Sequence, residues 1–310
     1  MTEYNAENIS NDFILQDGRD EERILVKSKI KSGVVVIPDE LGITEIGDNA
    51  FKGSLFGKSN ITYISSNTVK RIGRKAFKGC GSLETVSFPM VETVGDSAFR
   101  SCSSLETVHL PQVKIIGANA FDTGLFPGKN RLQTVYFPMV ETIGEYAFSG
   151  CSHLQSAYFP RVETIGKLAF YLCKSLGSVS YPRLKTIGQE AFKYCSFLQI
   201  VYCSELKSIG DSAFIGCRSL ETVSFPMVET IGQGAFINCV LLSSFLGNPN
   251  VRYIGKNAFT KEDERSNMGS DSMESTVYYS PLPYDVESLL GFYAVRRWGD
   301  YYYEKFEKTI

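Results

Sequence analysis

The chain has 310 residues, 43% hydrophobic and 21% charged, and its 32 basic residues stand against 34 acidic ones for a formal net charge of −2. That balance supplies no basic surface for nucleic acid, and no run of 18 apolar residues offers a membrane-spanning helix. With 2 histidines and 8 cysteines that never fall in C-x-x-C spacing, the composition also argues against a metal centre.

The opening stretch, MTEYNAENIS, has neither the basic nor the apolar region of an export signal. A cytoplasmic protein is implied if Met1 is the native start, and a secreted or surface protein if a leader has been trimmed. Residues 1–33 read as an N-terminal cap of short strands. Phe13-Ile14-Leu15 and Ile24-Leu25-Val26 come first, Val34 to Ile37 follows, and turns are placed at Asp17-Gly18 and Ser32-Gly33.

From residue 34 to 259 the chain repeats. SFPMVETVGDSAFRSC at Ser87–Cys102 returns as YFPMVETIGEYAFSGC at Tyr136–Cys151 and SFPMVETIGQGAFINC at Ser224–Cys239. The glycine of the repeat falls at Gly47, Gly73, Gly95, Gly117, Gly144, Gly166, Gly188, Gly210, Gly232 and Gly255, and most steps are 22 residues. A fixed period in this range means a solenoid, in which each unit buries its apolar face only against its neighbours. Within one coil, Val86 and Phe88 alternate as a strand does, and Pro89 ends it. Val94, Ala98, Phe99 and Cys102 then have the spacing of one helical face. The spacing therefore predicts a right-handed β-α solenoid of about ten coils, in the α/β class.

Two coils are longer than the rest. Their inserted stretches, Gly53 to Lys58 and Gly124 to Lys129, resemble each other and carry the apolar pairs Leu55-Phe56 and Leu125-Phe126. Such a pair either folds over its own coil or grips a partner. Residues 260–275 are polar without periodicity and read as a flexible loop. Residues 276–310 read as a C-terminal cap, with a strand at Val277-Tyr278-Tyr279 and a helix bearing Val286, Leu289, Leu290 and Tyr293.

The unit L-x-x-V-x-F at Leu83–Phe88 resembles the opening of leucine-rich repeats. More closely, the recurring I-G-x-x-A-F-x-x-C resembles the BspA-like class, over about Val34 to Phe259. The asparagine of ordinary leucine-rich repeats is replaced by Val91, Val113, Val140 and Val162. The resemblance extends to the hairpin before the first coil and to the strand and tryptophan-bearing helix, here Trp298, after the last. It implies adhesion and host-protein binding at cell surfaces.

Seven cysteines share one column of the repeat, Cys80, Cys102, Cys151, Cys173, Cys195, Cys217 and Cys239, and Cys203 replaces an aromatic in the Phe88 column. Side chains in one column point the same way, so buried free thiols are expected. His109 and His153 lie in different coils with no recurring nucleophile or carboxylate beside them, so no catalytic residue, cofactor site or metal site is assigned.

The varied positions are more informative. The outward residues of the first strands are Ser87, His109, Tyr136, Tyr158, Ser180, Tyr202, Ser224 and Leu246, and just beyond the strands stand Met90, Gln112, Met139, Arg161, Arg183, Glu205 and Met227. Solenoids bind along the concave sheet, and Tyr, Met and Arg are enriched at interfaces. Tyr136, Tyr158, Arg161, Arg183 and Tyr202, with His109 and Met139, are thus the candidate partner-binding residues. The sequence points to a monomeric, non-enzymatic scaffold that needs no cofactor and recognises a protein or glycan. The alternative is a spacer that only holds its caps apart.

Overall fold

The computed structural model describes residues 12–18, 22–52, 60–124, 130–248 and 251–260. Each regular coil contributes two short strands. The first is exemplified by Thr85–Ser87 and the second by Thr93–Val94. Second strands pair in parallel from coil to coil, Ile143 opposite Ile165 and Ile165 opposite Ile187. They form one sheet, which an N-terminal hairpin extends to 12 strands. First strands also stack in parallel, with Val86 opposite Val108. They fall into three separate ladders of 4, 2 and 4 strands, dividing between Thr107–His109 and Thr134–Tyr136 and again between Ser156–Tyr158 and Val179–Ser180.

The core lies between the two sets of strands. Leu83, Val86, Phe88, Val91, Val94, Ala98, Phe99 and Cys102 of one coil are all buried, as are their counterparts along the stack. Ten phenylalanines from Phe51 to Phe259 stack ring on ring, with neighbouring centroids 5.0–5.3 Å apart. That spacing is close to the distance between adjacent strands of a sheet, so one ring per coil fills the column without strain.

The helix expected over Val94 to Cys102 is absent. Among the described residues the one helical element is a 3-10 turn at Asp39–Leu41. The α/β and β-α descriptions therefore give way to a β-solenoid of about ten coils. Backbone conformation supplies the reason. Ser97 and Ser101 have φ of 57° and 61°, and a left-handed residue every fourth position breaks the run of right-handed φ that a helix requires. Amides then alternate between two sets of acceptors. Ala98 and Cys102 donate to Gly95 and Phe99 three residues back, each at 3.2 Å, while Ser97, Phe99 and Ser101 donate to Ala118, Ala120 and Asp122 of the next coil at 2.7–2.8 Å. Stacked turns thus satisfy the buried backbone groups that a helix would have satisfied internally.

The left-handed position two residues after the repeat glycine recurs in every coil, and Lys75 occupies it at φ 58°. A non-glycine residue there costs about 1–2 kcal/mol. Lys75→Gly is expected to raise stability by about 1 kcal/mol in urea unfolding, because it relieves that cost and keeps the amide that donates to Asp96. A lowered midpoint would contradict the turn geometry.

At the N-terminus, Phe13–Asp17 and Arg23–Ser28 form an antiparallel hairpin, and the second of these strands pairs in parallel with Glu45–Ile46. Phe13 sits edge-on to Phe51 at 6.4 Å and covers the first ring of the column. The turn expected at Ser32-Gly33 is instead the start of a strand, Ser32–Val36, with a bulge between Gly33 and Val34 where Gly33 takes φ 85°. The expected elements at Val277–Tyr279, Val286–Val295 and Trp298 lie outside the described residues.

Candidate functional site

Alternation along each first strand puts Val86, Val135 and Val201 into the core and leaves Ser87, Tyr136 and Tyr202 facing outward. The outward column is accessible from Ser87 to Tyr202 and buried at Ser224 and Leu246. Within it, Tyr136 and Tyr158 are directly opposed across the ladder, with their rings stacked at 5.1 Å and only 5° from parallel. Both are half-buried. Ser180 and Tyr202 pair in the next ladder. Past the proline that follows each strand, Met139 is half-buried and Arg161 and Arg183 are exposed. Among the described residues neither arginine forms an ion pair.

His109 stands in the same column, one coil before Tyr136. Burial holds its imidazole below the usual histidine range. His153 lies elsewhere, in a turn, where its Nδ1 donates to the Asn130 carbonyl at 2.8 Å. The structure thus brings the tyrosines, His109, Met139 and the arginines onto one face, and His153 stands in a turn at its edge. Leu55, Phe56, Leu125 and Phe126 lie outside the described residues.

One feature of this side carries no sequence motif. Where the first ladder ends at His109 and the second begins at Thr134, a shallow groove of about 520 Å³ opens, lined by Glu106, Thr107, Val108, Arg131, Gln133, Thr134 and His153. Arg131 Nη1 meets Glu106 Oε1 across it at 2.9 Å. The signal in the sequence is the lengthened step between Phe121 and Leu132.

The second strands present a different surface. Six of the outward residues are small hydroxyl side chains, Thr93, Thr142, Thr164, Thr186, Ser208 and Thr230, while Arg71, Ile115 and Tyr253 depart from them. Three pairs of the charged residues that precede the second strands join neighbouring coils, Lys114 to Glu92 and Lys185 to Glu163, both at 2.7 Å, and Arg252 to Glu229 at 3.6 Å. Hydrogen bonds from the lysines hold Glu92 and Glu163 below the usual carboxylate range. Exposed pairs of this kind are weak individually, but they match part of this face's charge coil to coil.

The repeat geometry fits a known pattern of sequence. The BspA type leucine rich repeat region matches in 6 copies, over residues 44–176 and 141–269. The chain belongs to this family. Among solved structures, this BspA-type repeat protein is similar to a leucine rich cell surface protein from Faecalibacterium prausnitzii A2-165, at 22% identity over 80% of this chain and 78% of the other, with a TM-score of 0.55. It is also similar to a leucine-rich repeat protein from Bacteroides ovatus, at 22% identity with the same coverages and a TM-score of 0.45. No curated protein matches it. Among the described residues, no helix is long and apolar enough to cross a membrane, and no group of three or more His, Cys, Asp or Glu is placed to hold a metal ion.

The cysteine column of this BspA-type protein is structural. All eight cysteines are buried and free. Each thiol of the main column donates to the carbonyl of the phenylalanine one coil back, Cys102 to Phe77 at 3.2 Å and Cys195 to Phe170 at 3.1 Å. That carbonyl already accepts from the amide three residues on, Cys80 to Phe77 at 3.0 Å, so the thiol fills its second lone pair. Burial pushes the thiols of Cys102, Cys151, Cys173 and Cys195 up, away from the reactive thiolate. The native protein should therefore resist a thiol reagent at pH 8, and the unreduced, denatured chain should titrate close to eight thiols. A count near two would mean that disulfides form.

Proposed function

We propose that this protein is a non-catalytic binding scaffold that recognises a protein or glycan partner through the outward face of its first strands, the face that the sequence predicts to be concave. The observation that carries the reading is the contrast between its two sheets. One repeats a threonine in half of its coils and pairs several of its charges coil to coil. The other displays a stacked pair, Tyr136 and Tyr158, beside arginines that have no ion pair among the described residues. Rigid, half-buried aromatics next to arginine are the side chains that dominate binding energy at interfaces. The likeness to a cell surface protein supports an adhesin-like role at the surface or outside the cell. In the alternative, a spacer, both faces would be passive.

Capture from extracellular and cell-surface fractions separates the two. The intact protein should retain a specific partner that a variant with Tyr136, Tyr158 and Tyr202 all replaced by alanine loses. Equal capture by both would remove the first-strand face from the account, and no capture at all would favour the spacer.

A further inference from the structure

The stacked tyrosines stop one rung short. Tyr136 and Tyr158 stack at 5.1 Å, the next outward position is Ser180, and Tyr202 stands one coil beyond it in register. The core measures the coil spacing on either side of that serine. Phe170 and Phe192 share coils with Tyr158 and Ser180, and Phe192 and Phe214 with Ser180 and Tyr202. Both ring pairs are 5.2 Å apart. Tyr158 and Tyr202 thus stand two coils apart in the outward column, with the two-atom side chain of Ser180 at the position between them.

The same step is singled out in the backbone. The first-strand ladder divides between Tyr158 and Val179, and the buried Tyr181 hydroxyl donates to the Ala157 carbonyl at 3.3 Å. Spacing is nevertheless kept, since Phe159 and Tyr181 stack at 5.8 Å across the division. Arg183 stands on the same coil as Ser180 and Arg161 on the coil before it, both exposed and without an ion pair among the described residues, while the coil of Tyr202 carries the exposed Glu205, so the positive charge lies on the Tyr158 side of the position.

We infer that the position over Ser180 is a slot that takes an aromatic side chain of a protein partner, inserted between Tyr158 and Tyr202 with an acidic neighbour on Arg161 and Arg183. This deepens the binding reading above and rests on it. A planar ring completes the stack on both faces, where each aromatic contact adds to the area it buries. The two guanidiniums select a carboxylate beside that ring over a neutral or basic one. A pyranose would use the aromatic faces but not the paired positive charge, so the charge favours the acidic peptide.

Three variants and three peptides test this. The peptide acetyl-Glu-Tyr-Glu-amide should bind the intact protein with a dissociation constant of about 1 mM, read from shifts of its tyrosine ring protons. Its Glu-Ala-Glu and Lys-Tyr-Lys counterparts should bind about tenfold more weakly. Ser180→Tyr fills the slot from within. It should abolish binding while leaving the thermal midpoint unchanged or higher, because tyrosine already occupies this column in three coils. Ser180→Ala should bind as the intact protein does. Equal binding by Ser180→Tyr, equal binding of Glu-Ala-Glu, or no shift at about 10 mM peptide would each overturn the slot. Maltotriose binding that is blocked by Ser180→Tyr would overturn the peptide assignment. A captured partner kept by Ser180→Tyr but lost when Tyr136, Tyr158 and Tyr202 are alanine would overturn the slot and leave the broader face intact. A partner kept by both would overturn both.

Discussion

Phe170→Ala should cost about 3–5 kcal/mol, the range for deleting a fully buried phenylalanine ring. Phe170 is completely buried and lies between Phe148 at 5.3 Å and Phe192 at 5.2 Å, with Phe159 tilted against it at 6.2 Å. Removing it breaks two stacked contacts, each worth about 0.5–1.5 kcal/mol beyond its area, and leaves a void that neighbouring coils cannot close without losing their hydrogen bonds. The upper end of the range is therefore expected. Because each coil touches only its neighbours, the break also weakens the coupling between the two halves of the stack. Urea unfolding followed by circular dichroism should show a lower midpoint and a broader transition. An unmoved midpoint would show that this column does not carry the core.

A second, smaller deletion of freedom should be nearly as damaging. Gly188→Ala is expected to cost about 3 kcal/mol, the upper end for overpacking, because the obstacle is backbone and not a side chain that can turn aside. A methyl group there would lie 2.6 Å from the Gly166 carbonyl carbon and the Lys167 nitrogen of the preceding coil. The Gly188 amide meanwhile donates to Ile165 at 2.8 Å, so the coils cannot separate at this point without losing a bond of the stack. Gly177→Ala makes the comparison, since its added carbon would meet nothing closer than the Gln155 carbonyl oxygen at 3.6 Å. Equal stability of the Gly188 and Gly177 variants would show that the coils are farther apart than described.

These two residues also show how much was legible in the sequence. The 22-residue period identified Phe170 as core and Gly188 as a fixed column, since each apolar residue of a coil must meet its copy in the next. It did not give the reason for the glycine. In the sequence the repeat glycines only mark the period, whereas the structure requires them for close approach of successive backbones. The missing helix has a related cause. Spacing of i, i+4 and i+8 is shared by one helical face and by two consecutive turns, and apolar periodicity does not distinguish them. The discriminating signal was present at Asn49, Asn119, Gly234 and Asn257, and at Gly79, Gly150, Gly216 and Asn238, all residues that tolerate left-handed backbone. Lys75, Tyr146, Leu168 and Leu172 mask it, because they hold the same conformation without any preference for it. Bonds to the next coil impose the turn, and no local propensity reveals those.

The candidate face was legible for the same reason as the core. Once the period was set, Tyr136, Tyr158, Arg161, Arg183 and Tyr202 had to share one side. Ring stacking at 5.1 Å and the division of the first-strand ladder were not legible, since each depends on how one coil departs from the average of the others, and of the groove beside Arg131 only the lengthened step before Leu132 shows.

Hydroxyl-radical footprinting of the protein, alone and with its captured partner, tests the binding face most directly, because tyrosine and methionine side chains report their own exposure. The account predicts that the partner protects Tyr136, Tyr158, Tyr202 and Met139 and leaves Tyr194 and Tyr253 as reactive as before. Protection of Tyr194 or Tyr253 with Tyr136 and Tyr158 unchanged would contradict it.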